Sequence, residues 1–332
     1  MKKVLNYVLL LIVTILVLYF SLKDNYQEII KTLFSMDIKW FIIALLCVII
    51  YWSLKTVPLY LFTKRHKENF KYKSSIKLTL RTQFANAVTP FATGGQPYQI
   101  YYLNKEGIRS STSTSIILEN FIVYQIALVF LGLVALISNS IFHIFPHNDL
   151  LTRLITLGFI INTLVIIVSF IVAFGKKMNK TIVNFGINVL TKLKIVKDKE
   201  ARLAKWNESI TNFHKSAKVL IKDKKLFFSM IIINLLALCF LYIIPMFVLF
   251  AMGDFSSLNV FNTIITSAYV MLIGSFVPIP GGTGGLEYGF VKFYGTFIGG
   301  SVLTSIMLIW RFITYYFGLI IGAIAFNVKG RK

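Results

Sequence analysis

Acidic residues are scarce in this chain. It has 332 residues with 13 Asp and Glu against 35 Lys and Arg, and charged residues make up 14% of it, where soluble domains carry roughly 25%. A hydrophobic fraction of 56% excludes a disordered chain, which needs low hydrophobicity. The apolar residues fall in long runs rather than periodic stripes, which argues against an ordinary soluble enzyme. Cysteine is nearly absent. Cys47 and Cys239 both lie inside apolar runs, which fits neither a disulfide framework nor a zinc site and leaves them as small packing residues. His143 and His147 stand four apart before Asp149, but Pro146 disrupts a helix there. No metal or other cofactor is expected, and nothing resembles a Ser–His–Asp arrangement.

What the chain has in abundance is membrane-length apolar sequence. A bilayer core of about 30 Å takes roughly 20 apolar helical residues. Six runs qualify: Val4–Leu22, Ile38–Phe62, Ile116–Ser138, Leu154–Phe174, Leu226–Phe250 and Ser301–Val328. The first reads as a retained helix, because Tyr19–Asn25 offers no small-x-small cleavage site. The segments between runs alternate in charge. Residues 63–81 carry a net +6 and 175–225 a net +10, whereas 23–39 and 139–153 are neutral and 251–260 carry −1. By the positive-inside rule the chain is a multi-pass protein of the cytoplasmic membrane with both termini in the cytoplasm. The net charge of +22, which alone would suggest a nucleic-acid partner, is then an orientation signal, and no nucleic acid is expected. Residues 1–332 form one integral membrane domain. Within the basic 175–225 segment, Leu203, Trp206, Ile210, Phe213, Ala217 and Leu220 fall on one helical face. That amphipathic helix either lies in the anionic interface or packs on its own protein.

Two further apolar stretches are broken. Residues 76–102 contain Pro90, Gly94, Gly95 and Pro97, and residues 261–298 contain Pro278, Pro280, Gly281, Gly282, Gly284 and Gly285. Proline removes a backbone donor and glycine costs helix propensity. Both flanks of the first stretch are positive, so its chain must return to the side it entered from. The second lies between an external loop and the last span, so it starts and ends outside. The predicted fold is all-α and polytopic, with about six full transmembrane helices plus two oppositely oriented re-entrant helical hairpins; a kinked full-length helix is the alternative for each broken stretch. Irregular backbone at membrane depth is tolerated only where it is buried or lines a cavity, and paired interruptions of this kind point to a transport site.

The residues Asn86, Pro90, Gly94 and Gly95 in NAVTPFATGGQPYQ, the run Pro278 to Glu287 in PIPGGTGGLE, and Arg311 in WRFITYYFGLIIG resemble the lysylphosphatidylglycerol synthase transmembrane-domain family. That family includes the flippase half of bacterial aminoacyl-phosphatidylglycerol proteins. The resemblance implies a polar, lipid-accessible cavity between two hairpins, with membrane lipids as partners: an anionic phospholipid or a polyprenyl-phosphate-linked lipid. It covers the membrane region alone, so an aminoacyltransferase domain is not expected, and a lipid-modifying enzyme would be a separate chain. The family often has an acidic residue after the first glycine pair and a basic one three positions later. Here these are Gln96 and Gln99, which keeps the polarity and drops the charge pair.

Ionisable residues inside spans are rare and functional by default. Lys55, Glu119, Glu287 and Arg311 stand out. Glu287 either caps a half-helix or pairs with Arg311. The guanidinium of Arg311 offers a fork for a carboxylate or a phosphate. Lys55 can snorkel to the interface. The candidate substrate-binding set is Asn86, Pro90, Gly94, Gly95, Gln96, Gln99, Glu119, Pro280, Gly281, Gly282, Gly285, Glu287 and Arg311. Gly318-x-x-x-Gly322 is a face for homodimerisation or for close packing within the chain. The expected activity is lipid translocation. The rivals are the membrane component of a lipid aminoacylation enzyme and a small-solute transporter using Glu287 as a proton site.

Overall fold

The computed structural model describes residues 34–192 and 198–327. The expected first span Val4–Leu22 and the basic tail 329–332 lie outside the described residues. The other five expected spans are each a long apolar helix: α1 (Ile38–Lys64), α4 (Ser110–Phe142), α5 (Asp149–Phe174), the pair α8 (Lys224–Tyr242) and α9 (Ile244–Ala251), and the last span, Val302–Asn327. The α8–α9 break was not anticipated. It follows from Pro245, which lacks the N–H that would continue the helix. In the last span, α12 (Gly300–Arg311) passes through a π-helical turn, Phe312–Tyr316, into α13 (Phe317–Asn327). Such turns often mark functional sites.

Local chemistry sets the ends of these helices. Asp37, Asn148 and Asp223 each accept a backbone N–H in the first turn of α1, α5 and α8, satisfying donors that the helix leaves orphaned. Arg65, at the end of α1, pairs with Asp223 at the start of α8. At the opposite end the Asp37 N–H donates to Ala251 O at 2.8 Å. The helices therefore run antiparallel, with the basic segments gathered at one end of the bundle. The outward faces are apolar: Ile42, Leu46 and Ile49 on α1, and Leu157, Ile160 and Leu164 on α5, are all exposed. These are the faces that a bilayer would cover.

Both broken stretches are helical hairpins. The first comprises α2 (Tyr72–Ala87), a turn at Pro90–Ala92, and α3 (Gly95–Lys105). It starts and ends at the basic end, where Lys67 bonds the Glu106 carboxylate at 3.1 Å. The second comprises α10 (Val260–Gly274), a turn at Pro280–Gly282, and α11 (Gly285–Tyr294). It starts and ends at the other end, where Phe261 meets Phe142 and Phe293 meets Phe145. The two turns, Pro90–Ala92 and Pro280–Gly282, are in contact with each other.

The remaining helices, α6 (Lys176–Lys192) and α7 (Lys199–Lys222), form the basic segment. The C-terminal part of its apolar face packs on the protein: Ile210, Phe213 and Ala217 are buried, with Ala217 against Ile122 of α4 and Ala173 of α5, whereas Trp206 is exposed. His214 fastens the arrangement. Its Nδ1 lies 2.8 Å from Ala173 O and its Nε2 lies 3.1 Å from Asn179 Nδ2. Gly318 and Gly322 also serve contacts within the chain. A Cβ at Gly322 would lie 2.7 Å from the Phe84 backbone nitrogen of α2, and one at Gly318 would lie 3.3 Å from Trp52 of α1.

Candidate functional site

The first turn is built from its own backbone. Helix α2 ends at Ala87, and the Asn86 side-chain oxygen accepts the Gly95 N–H at 2.9 Å while the Thr89 hydroxyl accepts the Gly94 N–H at 2.8 Å. The two side chains thus cap α3 across the turn. This explains the glycine pair: a Cβ on Gly95 would lie 2.3 Å from Asn86 Oδ1, and one on Gly94 would lie 2.6 Å from Ala85 O. Asn86, expected as a headgroup ligand, has a structural task here. Pro90 and Gln96 are exposed and Gln99 is buried. Phe91 and Ala92 both take φ of +53°, a left-handed conformation that costs non-glycine residues roughly 1–2 kcal/mol each.

The second turn is closed by Arg311. Its Nη1 donates to Gly281 O at 2.9 Å and its Nη2 to Thr283 Oγ1 at 3.2 Å, and its Nε lies 2.7 Å from Glu287 Oε1. Glu287 fills both roles expected of it. Its second oxygen, Oε2, accepts the Gly284 N–H at 2.6 Å and so caps α11, while the first neutralises the arginine. The pair is asymmetric: the Arg311 side chain is 4% exposed and that of Glu287 is 24%. The arginine is therefore the more deeply held partner of the pair. Gly281, Gly282 and Gly284 all have positive φ, and a Cβ on Gly285 would strike Val277.

One residue joins the turns. The Tyr315 ring centroid lies 4.8 Å from the Arg311 guanidinium carbon, and its hydroxyl donates to Ala87 O, at the end of α2, at 2.9 Å. The same ring packs against Gly281, where a Cβ would come within 2.4 Å of it. A continuous polar path therefore runs Glu287–Arg311–Tyr315–Ala87 from one hairpin to the other. Sequence reasoning missed Tyr315, Thr283 and Thr89. Tyr315 carries one signal, its place four residues after Arg311, which puts the two on one helix face.

Glu119 does not join this group. It is buried on α4 and accepts from Ser115 Oγ at 2.9 Å. Lys55 lies between aromatic rings instead of near an acid, with its Nζ 4.0 Å from the Tyr124 ring centroid. A second polar set steadies the α10 end of the site: Gln125 donates to Asn162 Oδ1 at 2.6 Å, and Asn162 donates to Ser275 Oγ at 2.7 Å, just before the second turn. An apolar groove of about 220 Å³, lined by Ile49, Trp52, Thr56, Leu80, Phe317 and Ile321, runs beside the first hairpin.

Residues 7–322 match the family model described as the lysylphosphatidylglycerol synthase TM region. A protein of Archaeoglobus fulgidus described as a UPF0104 membrane protein is 22% identical over 310 residues, spanning 86% of this chain and 85% of that protein.

Proposed function

The chain belongs to the lysylphosphatidylglycerol synthase transmembrane-region family, and from that membership and the two facing turns we propose that it translocates a lipid with an anionic headgroup, a phospholipid or a polyprenyl-phosphate-linked lipid, across the cytoplasmic membrane. The observation that carries this reading is the path Glu287–Arg311–Tyr315–Ala87 between two hairpins of opposite origin. Irregular backbone inside a membrane bundle is sustained where it is buried or lines a polar route. Here each hairpin provides half of such a route, and the bonded turns close it in the middle. The basic end faces the cytoplasm by the positive-inside rule.

The contacts suggest the mechanism. Arg311 spends two of its donors on a carbonyl and a hydroxyl. Both are neutral acceptors, weaker than a phosphate oxygen pair, which makes charge-assisted and bidentate bonds. An arriving phosphate competes with the Glu287 carboxylate for the guanidinium and releases Gly281 and Thr283. That frees the ring of Tyr315, and with it the Ala87 carbonyl of the other hairpin. The headgroup then passes the loosened turns while its acyl chains remain in the bilayer, against apolar surfaces such as the groove beside α2. Reclosure of the Arg311 contacts restores the barrier.

The test is reconstitution into liposomes carrying an acyl-labelled fluorescent phosphatidylglycerol, with dithionite added outside. The expected result is bleaching of inner-leaflet probe in the presence of the protein and its loss in Arg311→Gln. An unchanged bleached fraction with anionic, zwitterionic and polyprenyl-phosphate probes alike would overturn the proposal.

A further inference from the structure

The first hairpin has a charge pattern that its topology does not require. From residue 69 to residue 105 there is no acid, and the stretch carries Lys71, Lys73, Lys77, Arg81 and Lys105. Three of these, Lys73, Lys77 and Arg81, recur every four residues along α2. That spacing puts them on one face, about 6 Å apart along the axis. They feel one another, since both Lys73 and Arg81 act on the Lys77 ammonium. Among the described residues no acid lies within ion-pair distance of Lys73 or Lys77.

An orientation signal needs only net charge in a loop. These cations instead climb the first three turns of a helix, with Lys73 in the first turn at the disfavoured positive end of the macrodipole. Lys73 is exposed, while Lys77 and Arg81 are half-buried, so the row leads from the surface into the bundle. Its deep end is fixed: Arg81 donates to Ala325 O of α13 at 2.8 Å and lies 3.4 Å from the Tyr98 hydroxyl. The Tyr98 phenol therefore stands beside the row. Like charges spaced i,i+4 along one helix face are a local cost, and a local rule broken in this way points to function.

We propose that Lys73, Lys77 and Arg81 form an entry ladder that binds the phosphate of an anionic lipid in the leaflet at the basic end and leads it along α2 toward the Arg311 turns. The ligand chemistry is a phosphate mono- or diester anion held by successive cations with the Tyr98 hydroxyl beside them. The ladder deepens the translocation reading and rests on it for its purpose. Its binding step is nonetheless separable from transport.

The test measures binding alone. The full-length protein is placed in phosphatidylcholine nanodiscs, and retention of added phosphatidylglycerol is counted by native mass spectrometry. The double variant Lys73→Gln/Lys77→Gln leaves Arg81 holding α13. It is expected to lose phosphatidylglycerol retention roughly fivefold for each charge removed, with phosphatidylcholine retention unchanged. Lys73→Arg/Lys77→Arg is expected to restore it, which separates loss of charge from loss of fold. Equal phosphatidylglycerol retention by wild type and the Gln variant overturns the ladder even if the protein moves lipid. Loss of retention with no translocation by the wild type supports the ladder and removes its transport role. Inorganic phosphate is the second probe: if it binds in a Lys77-dependent manner and phosphatidylglycerol does not, the site belongs to a free anion and the lipid assignment fails.

Discussion

Tyr315 donates its hydroxyl to the carbonyl of Ala87 at 2.9 Å, and this bond ties the last span to the end of the first hairpin's inward helix. The ring that carries the hydroxyl also lies against the guanidinium of Arg311 and the backbone of Gly281. Movement at either turn must therefore move or break something at Tyr315. Tyr315→Phe keeps the ring and deletes the bond, leaving a buried carbonyl unpaired. The expected cost is about 1–2 kcal/mol, read as a lower thermal midpoint in detergent. A thiol placed at Thr93, an exposed residue of the first turn, should label faster in the variant. Unchanged labelling would mean that the bond does not hold the turns together.

Glu287 and Arg311 should be energetically coupled. Removing the carboxylate leaves a guanidinium that is 4% exposed with only neutral partners, and breaking a buried pair on one side is costly. A double-mutant cycle with Glu287→Gln and Arg311→Gln is expected to give a coupling of about 1–3 kcal/mol. The single Glu287→Gln change should also destabilise through the lost cap on Gly284. Coupling near zero would show that the pair is not what closes the second turn.

Much of this was legible in the sequence because membrane burial writes long signals. Five described spans follow directly from apolar length, and both hairpins follow from Pro90/Gly94 and Pro280/Gly281. Glu287 and Arg311 were legible because a charge in an apolar run is conspicuous. Roles set by contact between elements were less so. Asn86 reads as a polar residue near a turn, and only the fold shows its oxygen already bonded to Gly95. Glu119 reads as an intramembrane acid, and its distance from the turns depends on which face of α4 meets which neighbour. Tyr315 stands among Trp310, Phe312, Tyr316 and Phe317, where nothing distinguishes it from packing aromatics until the helices are assembled.

The turn glycines should not be equivalent. Gly281 has φ +68° and no room, since a Cβ would lie 2.4 Å from the Tyr315 ring. Gly284 has φ +88° but nothing within 4 Å of a Cβ. Gly284→Ala meets backbone strain alone, at φ +88° and ψ −54°, of about 1–3 kcal/mol. Gly281→Ala pays that strain and must also displace the ring that links the hairpins. The expected order of thermal destabilisation is therefore Gly281→Ala well beyond Gly284→Ala, with transport lost in the first and retained in the second. Equal effects would mean that the Tyr315–Gly281 contact contributes nothing.

The basic end should respond to pH through His214. Asn179 Nδ2 donates to Val172 O at 2.7 Å, which fixes the direction of that amide and aims its nitrogen at His214 Nε2. The imidazole must therefore accept at Nε2 and donate from Nδ1 to Ala173 O, so the neutral tautomer is the one that fits. Burial pushes the imidazole below its ordinary value of 6.5, and Lys176 and Lys218 repel its cation, against the opposing pull of the Ala173 carbonyl. With the folded value depressed, the unfolded segment binds the proton more readily, so stability rises with pH across the interval between the two values. Docking of α7 on α5 should be complete above pH 6.5 and weaken as pH falls below it. Hydrogen exchange of the 203–217 amides, corrected for intrinsic rates, should then show lower protection at pH 5.5 than at pH 7.5. His214→Gln has no proton to take up in this range and should give the same protection at both. If the wild type is equally protected at both pH values, the His214 contacts do not hold α7 in place.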